Sequence, residues 1–429
     1  MTTPQNLSGW LDYIQALHAK PIAMGLERVA QVAKKLKLSP LFPIITVAGT
    51  NGKGSTCAML GRIYHEAGYQ VGCYTSPHLL RYNERVRVAC EEVSDEALCA
   101  AFAAVENARG EVALTYFEMS TLAAVWHFMQ SDLDILILEV GLGGRLDAVN
   151  IFDPSCAIVT SIDIDHVDFL GNTRELIGFE KAGIYRANTS AIIGDIAPPL
   201  SLVQYALDID ADLRRIGQDF TGTKTTSGWD FKSNNKHTHT HTQLMPLPLP
   251  ALVGEFQLNN AACAIEAIEC LQDQLPVELP AIVQGLQTVK LAGRFQQIST
   301  RPLVIVDVAH NPQAALALAK NLNNTPCIGQ TIAVFAMLAD KDIHGVIEAL
   351  LTEIDAWYIA DTLTARGASA AMLVDAINQS AIEKKYSQPQ IKSFRNTLQA
   401  YQQACLDVTE NDRIIVFGSF FTVADVLSY

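Results

Sequence analysis

The chain is 429 residues long, with 49% hydrophobic and 18% charged residues, which is more length than one core usually fills and enough apolar material for two. Its formal net charge of -14 argues against a nucleic-acid partner, because a phosphate backbone is bound by basic surfaces. Small anionic ligands stay open, since a local nest of N–H groups, lysine and metal can hold phosphate in an acidic protein. Nine cysteines scattered singly, an N-terminus without a basic segment before an apolar core, and no apolar run of membrane-spanning length are the pattern of a cytoplasmic protein with reduced thiols.

In chain order, the first informative element is a β-branched run over residues 44–48, fit for a buried parallel strand. The turn Gly49-Thr50-Asn51-Gly52-Lys53-Gly54-Ser55 follows, and Cys57, Met59, Leu60, Ile63 and Tyr64 are spaced for a helix over 53–68. A phosphate at such a junction meets unpaired N–H groups and the positive end of a helix dipole. Gly49, Gly52 and Gly54 let the backbone curl close to the oxygens, Lys53 adds a point charge, and Ser55 or Thr56 offers a hydroxyl within reach of Mg2+. The usual P-loop runs Gly-Lys directly into Ser or Thr, whereas here Gly54 intervenes. The turn is a variant P-loop, and the ligand it implies is the polyphosphate of ATP.

Strand-like runs recur at 71–74, 134–140, 156–162 and 191–194, separated by helical patterns such as 117–130, which predicts a parallel sheet covered by helices on both faces. Residues 200–249 turn polar and read as a small antiparallel subsheet. Within it, His237-Thr238-His239-Thr240-His241 would put three imidazoles on one side of a strand, but with no cysteine or carboxylate nearby it reads as an exposed strand. A second alternating region comprises 303–307, 331–337, 356–360 and 413–417, preceded by Lys290-Leu291-Ala292-Gly293-Arg294-Phe295 as a hinge. The expected architecture is α/β in two lobes with a ligand cleft: a P-loop domain at 1–290, a linker at 291–298, and a Rossmann-like C-terminal domain at 299–429.

The polar residues cluster after strands, where open α/β folds bind ligands. Ser76-Pro77-His78-Leu79-Leu80-Arg81-Tyr82-Asn83-Glu84-Arg85-Val86 suits an anionic substrate and a hard cation, or forms a solvated loop. Glu139, before the glycine-rich Gly141-Leu142-Gly143-Gly144-Arg145-Leu146-Asp147, is placed to hold Mg2+ directly or through water, and Asp165-His166 ends the next strand. Lys181 in Glu180-Lys181-Ala182-Gly183 reads as a helix-surface lysine; a buried one with a depressed pKa could react with CO2 and bind metal as a carbamate. Asp307-Val308-Ala309-His310-Asn311-Pro312 and Gly418-Ser419-Phe420 end strands of the second lobe, where a second substrate could be held, and Arg294 in the hinge could reach the nucleotide.

Taken in order along nearly the whole chain, these segments closely resemble the Mur-ligase superfamily and, within it, the bacterial bifunctional dihydrofolate synthases/folylpolyglutamate synthases. Gly49 to Ser55 matches that family's own P-loop, including the extra Gly54. The resemblance implies that Thr50, Asn51, Gly52, Lys53, Gly54 and Ser55 hold the ATP phosphates, with Asn260, Arg294 and Asp307 on the rest of the nucleotide. It assigns Ser76, Glu139 and His166 to Mg2+ and makes Lys181 the family's N6-carboxylated lysine. Ala23, Met24 and Gly25, then Thr115, Tyr116, Phe117 and Glu118, look like the family's pterin-binding segments. Asp147 resembles a residue beside the pterin, which with Arg145 and Leu146 is implied to bind the substrate, and His310 and Ser419 resemble residues near the incoming glutamate.

The implied activity is ATP-dependent addition of L-glutamate to dihydropteroate and to reduced folates through an acyl phosphate, by a monomer with no nucleic-acid or membrane partner. A monofunctional folylpolyglutamate synthase is the alternative within the family. A cell-wall Mur ligase acting on a UDP-sugar peptide is a further rival, against which stands the short stretch of about 43 residues before the first strand. A nucleotide-binding regulator without catalysis is the rival of another class, and Lys53, Glu139, His166 and Lys181 together count against it.

Overall fold

The computed structural model describes residues 4–20, 22–235, 240–362 and 364–429. It divides into two compact units, one running up to Ala251 and resuming at Gln257–Lys290, the other made of Leu252–Phe256 and Leu291–Tyr429.

The first unit is built on eight strands: β1 (Ile44–Ala48), β2 (Val71–Tyr74), β3 (Val86–Val88), β4 (Glu91–Glu92), β5 (Ile135–Glu139), β6 (Cys156–Val159), β7 (Ser190–Ile193) and β8 (Asp212–Arg215). Their order is β4-β3-β2-β5-β1-β6-β7-β8, parallel from β2 to β8, with β3 and β4 added antiparallel at one edge. Every residue of β1 and β5 is buried, as a strand covered on both faces requires. Alternate side chains serve opposite faces. Ile44, Ala48, Leu136 and Leu138 join a core with the helices Leu7–Ala16, Glu27–Leu36, Asp95–Arg109 and Tyr116–Met129. The helix Lys53–Glu66 covers the other face, close enough that a Cβ on Gly61 would lie 3.9 Å from Ile137 Cδ1.

The polar region differs from its expected layout. Its first part is a helix, Leu200–Asp208, followed by β8, which joins the parallel sheet. The antiparallel subsheet is confined to β9 (Phe220–Lys224), β10 (Trp229–Asn235) and β11 (Thr240–Leu247). The histidine run at 237–241 falls outside the described residues and side chains.

The second unit holds β12 (Gln296–Thr300), β13 (Leu303–Asp307), β14 (Thr331–Phe335), β15 (Ala356–Ala360), β16 (Gln390–Phe394) and β17 (Arg413–Phe417), in the order β12-β13-β17-β14-β15-β16. All neighbours are parallel except β12, which pairs antiparallel with β13. Its core stacks Phe335 on Phe417 with ring centroids 4.8 Å apart, and Trp357 sits edge-on to Phe335. Among the described residues no helix is long and apolar enough to cross a membrane, and all nine cysteines are free thiols.

Candidate active site

The turn between β1 and the helix Lys53–Glu66 takes its shape from two glycines. Gly49 has φ +148° and Gly52 φ +92°, and a Cβ on either would collide, 1.9 Å from Thr160 Oγ1 and 2.5 Å from Asn260 Oδ1 respectively. Gly54 departs from the expectation that all three glycines bend the turn. It is the second residue of the helix and has no positive φ. Lys53 folds back so that its Nζ donates to the carbonyls of Gly49 (3.0 Å) and Thr50 (3.2 Å). Ser55 and Thr56 are buried, and Thr56 Oγ1 donates to Gly52 O, so of the two hydroxyls Ser55 is the one not committed to its own helix turn. Ser55 Oγ accepts from Gln257 Nε2 (3.3 Å), and Gln257 Oε1 accepts from Asn260 Nδ2 (2.9 Å). Asn260 thus stands beside the turn. Gln257, which sequence reasoning missed, lies three residues before it on the same helix face, a spacing that could have pointed to it.

Lys181 is 4% exposed, near the end of the helix Arg174–Ala182, and its Nζ donates to Gly49 O at 3.0 Å, the same carbonyl that Lys53 uses. Burial, reinforced by the Lys53 ammonium, pulls it down to about 7 against the opposing carboxylates of Asp165 and Asp147. This corrects the reading of Lys181 as a helix-surface lysine. A residue chemically able to be neutral at physiological pH sits under the phosphate turn.

Glu139, buried at the carboxyl end of β5, accepts the Ser76 N–H on Oε2 at 3.0 Å, which brings two expected metal ligands together at neighbouring strand ends. Hard oxygens of this kind fit Mg2+, which usually keeps several waters and takes one or two carboxylates plus phosphate oxygens. His166 is in the left-handed conformation, φ +53°, beside Asp165, with 3.8 Å between its Nε2 and Asp165 Oδ2. Among the described residues, no three His, Cys, Asp or Glu side chains gather as a metal cluster. The expected set contains only two of those types.

The segments 23–28, 115–118 and 141–147 converge. Arg28 Nη2 donates to Ala23 O (2.6 Å) and pairs with Glu118 Oε1 (2.9 Å), while Thr115 and Glu118 cap the helix Tyr116–Met129 reciprocally. A Cβ on Gly141 would lie 2.6 Å from Phe117 Cζ, and one on Gly143 would lie 3.8 Å from Met24 Cε. Arg145 pairs with Glu180 at 2.8 Å and stands over the Phe179 ring. Asp147 is buried and accepts N–H bonds from Leu142 (2.8 Å) and Val149 (3.1 Å), yet burial outweighs them and pushes its carboxyl up to about 7. In the loop after β2, Arg85 Nε donates to His78 Nδ1 at 2.8 Å, between the rings of Tyr82 and Tyr116. Burial and that guanidinium pull His78 down to about 4, so the imidazole is neutral with its proton on Nε2.

In the second unit, Asp307 ends β13 and accepts the Phe295 and Ala309 N–H groups at 2.7 and 2.8 Å. Burial raises its pKa even though Arg294 opposes the shift. Arg294 lies over the Phe420 ring at 5.3 Å, and the His310 ring centroid is 6.3 Å from that ring, with Nδ1 held at Val308 O. Ser419 is the N-cap of the helix Phe420–Leu427, its Oγ accepting from Thr422 N, so this hydroxyl already has a structural role. The expected residues of the second lobe therefore cluster around Phe420.

Two α/β units, a variant phosphate turn over a buried lysine and a carboxylate at the adjoining strand end define the Mur ligase class. Residues 47–268 match the Mur ligase middle domain, and 293–420 the Mur ligase glutamate ligase domain. The chain is 44% identical to the dihydrofolate synthase/folylpolyglutamate synthase of Escherichia coli over 429 residues, covering 99% of this chain and 96% of that one. It is 40% identical to the Haemophilus influenzae protein of the same name, over 98% of this chain and 96% of that one. The structure of Escherichia coli FolC in complex with DHPP and ADP superposes with a TM-score of 0.92 at 44% identity, covering 100% of this chain and 98% of that one. The Yersinia pestis bifunctional folylpolyglutamate synthase/dihydrofolate synthase complexed with AMPPNP and Mn ion gives 0.91 at 43%, over 100% and 98%. The chain belongs to the dihydrofolate synthase/folylpolyglutamate synthase family of Mur ligases.

Proposed function

We propose that this protein is an ATP-dependent ligase that adds L-glutamate to dihydropteroate, giving dihydrofolate, and to reduced folates, giving γ-linked polyglutamates. The observation that carries the reading is the meeting of Lys53 and Lys181 at one carbonyl of the phosphate turn, in a chain similar over its full length to enzymes named for both activities.

A carboxylate is a poor acyl donor, so the reaction begins with transfer of the γ-phosphoryl of ATP to the pteroate or folate carboxylate, giving an acyl phosphate and ADP. Residues 50–55 hold the phosphates and Lys53 offsets their charge, while Asn260, Arg294 and Asp307 contact the rest of the nucleotide. Ser76 and Glu139, with His166 and carboxylated Lys181 as further ligands, would hold Mg2+, which would supply positive charge at the phosphate oxygens. Lys181 can take up CO2 because its depressed pKa leaves neutral amine at physiological pH: the nitrogen bonds to carbon and releases a proton.

The amine of glutamate, near His310 and Ser419, then attacks the acyl carbon, loses a proton, and phosphate leaves. The pterin lies among Ala23, Met24, Gly25, Thr115, Tyr116, Phe117, Glu118, Arg145, Leu146 and Asp147, and one centre serves both acceptors. We further propose a cytoplasmic monomer.

The test is ADP release measured with and without glutamate on each acceptor. Glutamate-dependent release with both dihydropteroate and tetrahydrofolate is expected. Release with tetrahydrofolate alone would leave a monofunctional synthase, and release with neither would reject the ligase reading.

A further inference from the structure

The phosphate turn is laced to a segment that none of the expected roles includes, residues 160–163 after β6. Thr160 is 3% exposed, and its Oγ1 lies 2.6 Å from Asn51 O and 3.2 Å from Ala48 O. A hydroxyl has one proton to give, so the shorter contact to Asn51 takes it. Ser161 Oγ is also within 3.0 Å of Asn51 O, and it lies 3.3 Å from Asn51 N as acceptor. Ser161 O accepts Thr50 N–H at 2.7 Å, and Thr50 Oγ1 accepts the Asp163 N–H at 3.0 Å.

These contacts decide which way one peptide unit faces. The Asn51 carbonyl and the Gly52 N–H belong to the same planar trans peptide, so they point in opposite directions. Holding Asn51 O against Thr160 and Ser161 turns the Gly52 N–H away from β6, at the N-terminus of the helix Lys53–Glu66. The glycine at 49 fits the same arrangement, because a Cβ there would fall 1.9 Å from Thr160 Oγ1.

We infer that Thr160 and Ser161 are positioning residues for nucleotide binding: their hydroxyls fix the Asn51–Gly52 peptide in the orientation that presents its N–H to the phosphates. The inference rests on the reading of this turn as the ATP site. Direct binding of a fluorescent ADP, which needs neither folate nor glutamate, separates the two.

The variants Thr160→Ala and Thr160→Ser differ only in the hydroxyl. Thr160→Ala is expected to weaken ADP binding and raise the KM for ATP about tenfold, the size of one hydrogen bond lost from a preorganised site, with kcat and the KM for glutamate within about threefold of wild type. Thr160→Ser is expected to bind like wild type. Ser161→Ala is expected to weaken ADP binding in the same sense, and serves as the readout if Thr160→Ala does not fold. Equal ADP affinity in wild type and the Ala variants overturns the positioning role. So does a loss shared by Thr160→Ser, which would make the methyl packing the cause. Failure of wild type itself to bind ADP overturns the nucleotide reading and this inference with it.

Discussion

Asp147 and Lys181 are buried with opposite charges in their ordinary states, and burial drives each toward neutrality at about the same pH. For Asp147 the carboxyl rises from 3.8 to about 7 on folding, so between those values the unfolded chain releases a proton that the folded chain keeps, and stability falls as pH rises. For Lys181 the ammonium drops from 10.5 to about 7, so above 7 the unfolded chain binds a proton that the folded chain lacks, and stability rises with pH. Together they carve a trough near neutrality, each arm sloping by about 1.4 kcal/mol per pH unit. Urea unfolding from pH 4 to 9 in CO2-free buffer, where Lys181 is a free amine, should show the trough in wild type and a flatter curve in Asp147→Asn/Lys181→Met; identical curves would refute the linkage. Lys181→Ala should lower glutamate-dependent phosphate release by about 100-fold or more, the scale of losing a charge-stabilising group. The variant should still unfold cooperatively on heating, so that the loss belongs to activity and not to the fold. Near wild-type turnover would end the carbamate proposal. Reading the sequence alone favoured a surface position for Lys181, since nothing within its own helix reveals that this face meets Gly49.

The helix Phe256–Cys270 joins the phosphate turn to the sheet edge. Near its start Gln257 and Asn260 stand beside the turn, and nearly two turns beyond Asn260 the fully buried Glu266 pairs with Arg214 of β8 at 2.6 Å, with Ser233 of β10 also on that guanidinium. Removing one partner of such a pair leaves a buried charge, so Glu266→Ala should cost about 3–5 kcal/mol in urea unfolding. The apolar pair Arg214→Met/Glu266→Leu should recover most of it; a double variant no more stable than Glu266→Ala would contradict the pairing argument. At this scale the sequence was readable where strands are apolar and buried, as in β1, β2, β15 and β17, whose ends match the predicted ones. It was silent on β3, β4, β12 and β16, which are at or next to sheet edges and are either very short, as Val86–Val88, or polar, as Gln390–Phe394. Their strand character comes from pairing with a neighbour rather than from their own alternation.

Each of the two units has its own sheet and its own buried cluster, Ile44, Leu136 and Phe128 among the first, Ile305, Phe335 and Trp357 among the second. Cooperativity follows a shared core, so calorimetry of the full chain should resolve two transitions, and residues 291–429 expressed alone should melt cooperatively. A single transition, with an unfolded fragment, would show that the cores depend on one another.

The sequence by itself determined the phosphate turn, the order of the strands that end in polar residues and the family they belong to. Those signals are local: glycines where φ must be positive, β-branched runs where a strand is buried on both sides, a motif read in consecutive residues. Only the tertiary structure decided that Lys181 is buried, that Gln257 reaches Ser55, that Arg28 clamps Glu118, and that hydroxyls 109 and 110 residues downstream hold the Asn51 carbonyl. A threonine or serine at the end of a strand looks the same whatever it faces. The partner it meets is chosen by the packing of the sheet, which no periodicity in its own segment records.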